Sequence, residues 1–186
     1  EWNANIQLGA WSSGGSMNTG RGELGGAGTQ TAALAFGGGP GGLANTESYD
    51  GTSWTEVNDL NTARNGLASS GTQTAALGSG GYSGPGYKSE NESWNGTSWT
   101  EVGDLNTARA FMRTNIGIQT ATIVAGGYNG PPFSSQQALT ESWNGTAFTE
   151  VNDLNTARYG LAGIGIQTSA IVFGGTPPGN LANNES

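Results

Sequence analysis

The chain has 186 residues, 34 of them Gly, with six Trp, five Tyr and five Phe, six Lys plus Arg against 14 Asp plus Glu, and neither Cys nor His. Without Cys there is no disulfide framework and no thiolate chemistry, and without His the commonest general base and metal ligand is gone. A net charge of −8 with scattered cations disfavours nucleic acid and anionic membrane surfaces as partners, and no apolar run reaches the roughly 18 residues of a membrane-inserting span.

Read from the N-terminus, one unit recurs four times. Its clearest word is Leu/Met-Asn-Thr-Ala/Gly-Arg, at 17–21, 60–64, 105–109 and 154–158. An aromatic stands ten residues before each Arg, at Trp11, Trp54, Trp99 and Phe148. Nine or ten residues after each Arg comes a Gln, in GTQTAAL (28–34 and 71–77), GIQTATI (117–123) and GIQTSAI (165–171). Seven residues beyond the Gln a Gly-Gly pair begins, at 37, 80, 126 and 174. A segment of unequal length then leads to Glu-Ser at 47, 92, 141 and 185. From the second Gly to that Glu the interval is 9, 11, 14 and 10 residues, so insertions collect in one loop. The third copy also carries one extra residue between Arg109 and Gln119.

In the second unit the patterning predicts strands over 65–70, 74–79, 88–94 and 98–102. They are joined by Gly71-Thr72, by the variable Gly/Pro stretch, and by Asn95-Gly96-Thr97 as a tight hairpin turn. The first two strands are small and aliphatic, while the last two carry Trp and Tyr. Strands crowded near an axis need small side chains and diverging outer strands need large ones, which favours a β-propeller over a sandwich. The expectation is one all-β domain over 1–186: four blades of four-stranded antiparallel sheet, with units at about 12–54, 55–99, 100–148 and 149–186 plus 1–11. Strands from Glu1 to Trp11 would close the last blade.

On these residues the unit resembles the kelch repeat: an Arg after a Leu/Met-containing turn, an apolar strand ending in Gly80-Gly81, then Trp94-Asn95 and Trp99. The inner strands are more Ala-rich than that pattern, and four copies are fewer than its usual five to seven. The wording ESWNGTSWTEVGDLNTAR also looks like repeats of virion and tail-associated proteins of marine phages that infect cyanobacteria. The resemblance implies a rigid display module, on a virion or otherwise extracellular, that contacts a host surface polysaccharide or other virion proteins. Copper chemistry built on Cys, Tyr and His ligands in some kelch blades does not carry over, and no cofactor is expected.

The recurrent Arg21, Arg64, Arg109 and Arg158 read as scaffolding, bonded to loop carbonyls or to an Asp or Glu. Trp11, Trp54, Trp99 and Phe148 read as blade packing. The Glu56, Glu101 and Glu150 series offers no single flanking pair of carboxylates, as glycoside hydrolysis needs. The loops after the Gly-Gly pairs differ most between copies, and a fixed scaffold places recognition in such loops. Tyr87, Lys88, Tyr128, Phe133 and Gln136 are therefore the expected recognition face. A non-catalytic display and binding module is the leading expectation. A purely structural decoration or homo-oligomerising module stands second and a carbohydrate-active enzyme last.

Overall fold

A computed structural model describes residues 11–84, 86–113, 115–130, 135–176 and 182–186. Four antiparallel meanders follow one another in the chain. The first comprises β1 (Gly25–Thr29), β2 (Ala32–Phe36), β3 (Thr46–Tyr49) and β4 (Trp54–Val57). The second comprises β5 (Ala68–Thr72), β6 (Ala75–Ser83), β7 (Gly86–Trp94) and β8 (Trp99–Val102). The third comprises β9 (Asn115–Ile118), β10 (Ala121–Ala125), β11 (Thr140–Trp143) and β12 (Phe148–Glu150), and the fourth β13 (Ala162–Ile166), β14 (Ser169–Phe173) and β15 (Asn184–Glu185). Innermost strands pack side by side, β1 on β5, β5 on β9 and β9 on β13. The protein is a four-bladed β-propeller. The closing strands expected from Glu1 to Trp11 lie, apart from Trp11, outside the described residues.

The turns differ in detail from the sequence reading. Thr72 pairs with Ala75, so the inner hairpin turns at Gln73-Thr74 and not at Gly71-Thr72. Trp94 pairs with Trp99 across a four-residue loop. There the Asn95 side-chain oxygen accepts the N–H groups of Thr97 and Ser98, both at 2.9 Å, an Asx arrangement that displaces a two-residue turn. In the second blade the stretch after Gly80-Gly81 is largely strand. A register shift between Ser79 and Gly81 lets the ladder resume, and Tyr82 pairs with Tyr87.

Three apolar layers lie between successive blades. Leu34 and Phe36 meet Leu60, Leu67, Ala76, Trp94 and Trp99 between the first and second. Leu77, Leu105, Met112, Val124, Trp143 and Phe148 fill the next, and Ile116, Ala125, Leu161 and Val172 the third. Aromatic pairs occupy the first three blades: Trp54 lies on Tyr49 with ring centres 5.0 Å apart, Trp99 on Phe36 at 4.7 Å, and Phe148 on Trp143 at 4.9 Å. Trp11 departs from this series and is fully exposed. It lies outside the described strands, and no ring packs on it among the described residues.

Two polar devices hold the frame. Within each blade the repeated Arg pairs with the Glu of the third strand: Arg21 with Glu47 at 2.7 Å, Arg64 with Glu92 at 2.5 Å, Arg109 with Glu141 and Arg158 with Glu185. The same Glu accepts backbone N–H groups of the incoming turn, Asn61 and Thr62 on Glu92 and Asn106 on Glu141. A buried carboxylate with this many donors is compensated for its lost hydration. Between blades the repeated Gln reaches back to the preceding third strand. Gln73 donates to Tyr49 O and Ser48 Oγ, Gln119 to Trp94 O and Ser93 Oγ, and Gln167 to Trp143 O and Ser142 Oγ.

Candidate functional site

The Arg–Glu frame fixes where the chain enters each innermost strand. The residue after each Arg then meets the residue after each Gly-Gly pair: Asn65 bridges Tyr82, Ala110 bridges Tyr128 and Tyr159 bridges Thr176. The residue two beyond each Arg takes up a left-handed conformation, with φ of 55° at Glu23, 61° at Gly66, 57° at Phe111 and 63° at Gly160. These four positions are linked from blade to blade by backbone hydrogen bonds, Gly66 N to Glu23 O, Phe111 N to Gly66 O and Gly160 N to Phe111 O, at 2.7–2.8 Å. Glycine adopts this conformation without penalty, whereas a residue with a Cβ resists it by about 1–2 kcal/mol.

Around this string of hydrogen bonds opens a cavity of about 410 Å³, lined by Glu23, Phe111, Arg113, Tyr128, Tyr159 and Gly160. Its volume falls within the roughly 300–1,000 Å³ of small-ligand sites. Among the described residues only Glu23, Phe111 and Arg113 are non-glycine residues with left-handed φ, and all three line this cavity. Strain of this kind gathers where a side chain must be presented in one direction.

An aromatic ridge borders the cavity. Tyr82 lies edge-on to Tyr87 at 5.4 Å, Tyr87 to Tyr128 at 5.5 Å, and Tyr128 meets Tyr159 at 5.6 Å and Phe111 at 6.5 Å. Burial, and next the neighbouring Tyr128 hydroxyl, push the Tyr87 phenol up to about 12, so it stays neutral and hydrogen-bonding at physiological pH. Polar groups differ across the opening. On the first-blade side Glu23 accepts a 2.9 Å hydrogen bond from the Asn65 amide, which also donates to Gly39 O. On the third-blade side Arg113 is exposed, with φ 52°, and forms no ion pair among the described residues.

Of the residues expected on the recognition face, Tyr87 and Tyr128 are brought together in the ridge. Gln136 pairs by its backbone with Tyr128, which places it beside the cavity without lining it. Lys88 turns to Glu90 at 3.4 Å, and its carbonyl accepts the Arg109 N–H, so it braces the next blade. Phe133 lies outside the described residues. The sequence reading missed Glu23, Phe111, Arg113 and Tyr159. The signal for two of them was present: the extra residue of the third copy falls in Arg109 to Gln119, the segment that delivers Phe111 and Arg113. Among the described residues no group of three or more acidic side chains could hold a metal ion. No family model and no curated protein matches this sequence.

Proposed function

We propose that this propeller is a non-catalytic display and binding module whose ligand is a glycan seated in the cavity at Phe111 and Tyr159. The carrying observation is that all three strained non-glycine residues converge on one aromatic-bordered cavity, and two of them, Glu23 and Phe111, stand at the repeat position that is Gly66 and Gly160 in the other units. Aromatic faces take up the apolar C–H face of a sugar ring while polar groups at the rim meet its hydroxyls, the usual economy of a small-ligand pocket. Among the described residues lining the cavity Glu23 is the one carboxylate, where glycoside hydrolysis needs two, so the reading does not include hydrolysis. The resemblance of the repeat wording to virion and tail-associated proteins favours display on a virion toward a host surface polysaccharide.

Glycine substitution tests this reading, because at position 111 it restores the residue type already present at 66 and 160. Phe111→Gly is expected to keep the native circular dichroism spectrum and to lose binding at least tenfold on an array of surface oligosaccharides. A wild-type protein that captures no glycan on the array, or a Phe111→Gly variant that captures them equally, would remove the cavity from consideration.

A further inference from the structure

We infer that Arg113 makes the cavity selective for an acidic sugar, a uronate or sialic acid whose carboxylate sits on the guanidinium; this rests on the glycan reading above. The chain holds five Arg and one Lys. Four Arg are buried against their own Glu, and Lys88 leans on Glu90. Arg113 alone of the six has no ion-pair partner among the described residues, and it lines the cavity. It is also the one Arg outside the repeated frame, supplied by the segment that contains the third copy's extra residue.

Its backbone argues against an incidental surface cation. An Arg held at φ 52° carries a conformational cost that Gly would not, and Phe111 two residues earlier carries the same cost. A guanidinium offers a planar fork of donors that matches a carboxylate with two parallel hydrogen bonds. The overall charge of −8 gives no long-range attraction for an anion, so selectivity has to arise at short range from this one group. Glu23 gives the site polarity. Its carboxylate is held from the far side by Asn65 and forms no ion pair with Arg113, leaving a negative edge that accepts sugar hydroxyls and a positive edge that takes the acid. An acidic sugar is therefore oriented with its carboxylate toward the third blade and its hydroxyls toward the first.

The test compares each acidic oligosaccharide with its own methyl ester, which keeps the ring and removes the charge. Oligogalacturonate, oligoglucuronate and sialyllactose are titrated by calorimetry, each as acid and as ester, against wild type, Arg113→Gln and Arg113→Gly. At least one acid should bind wild type tenfold or more above its ester. In both variants the preference for acid over ester should fall to within twofold. Arg113→Gly relieves the left-handed backbone, so it should melt no lower than wild type and separates lost binding from lost folding. Equal binding of acid and ester, or a preference that survives both substitutions, overturns the acidic-sugar inference and leaves the glycan reading standing. Failure of every acid and every ester to bind, with neutral oligosaccharides on the array also negative, overturns both.

Discussion

Equivalent positions behave differently at the junctions inside the blade series and on the outer face of the fourth blade. Phe36, just before the first Gly-Gly pair, is 0% exposed beneath Trp99, whereas Phe173 at the same place in the fourth unit is 43% exposed. Ile116 is 2% exposed between the third and fourth blades, and its counterpart Ile164 is 68% exposed. The Gln series repeats the contrast: Gln73, Gln119 and Gln167 each clamp the preceding blade, while Gln30 is exposed. A blade is thus completed by the one that follows it. The same residue type is core or surface according to whether a neighbour supplies Trp, Leu and a reaching Gln, as expected for repeat architectures whose stability resides largely in nearest-neighbour interfaces.

The widest break in this comparison comes from truncating the equivalent phenylalanines. Phe36→Ala should destabilise by about 3–5 kcal/mol, because it opens a cavity under Trp99, while Phe173→Ala should cost well under half of that. Urea midpoints of the two variants check it, and equal losses would mean that the fourth blade's outer face is covered in solution. Ile116→Ala against Ile164→Ala is the paired control, with about 2–5 kcal/mol expected for the first.

A smaller effect sharpens the polar half. Gln119→Ala removes hydrogen bonds to Trp94 O and Ser93 Oγ and should cost about 1–2 kcal/mol, whereas Gln30→Ala should leave the midpoint unchanged. Matching losses at both positions would show that Gln30 also clamps a strand.

Acid titration gives the smallest and most diagnostic change. Burial pushes the Glu47 carboxyl up, but the N–H groups of Asn18 and Thr19 together with the Arg21 guanidinium outweigh it and hold the group below its ordinary 4.5. The unfolded chain then takes up the proton first. The stabilisation is complete above pH about 4.5 and is lost as pH falls through the lower folded value. Melting temperatures between pH 6 and pH 3 should therefore drop less in Glu47→Gln than in wild type, and an identical acid slope would discount this carboxylate.

Much of the frame was legible because it repeats. Four Arg at one position, a Gly-Gly pair at a constant distance and blade tryptophans confined to the last two strands specify a radial stack, since only side chains graded in size fill blades that diverge outward. The Glu partners of the Arg series were legible only as one class of acceptor among several, because Glu47 and Arg21 stand 26 residues apart and meet through the meander's register. The extension of β6 and β7 past the Gly-Gly pair was hidden for a similar reason. Its Gly/Pro content reads as loop, and the pairing of Tyr82 with Tyr87 that rescues it is a cross-strand contact.

By itself the sequence determined the repeat, its all-β character, the number of units and the face on which variation collects, because each depends on spacing along the chain. Tertiary structure alone decided which residues share the cavity. Glu23, Arg113 and Tyr159 belong to three different blades and converge only when the innermost strands are set around one axis. Left-handed φ at Glu23 and Phe111 was equally invisible, since both sit in the hydrogen-bond string around the axis, which holds that conformation against the intrinsic preference of each residue.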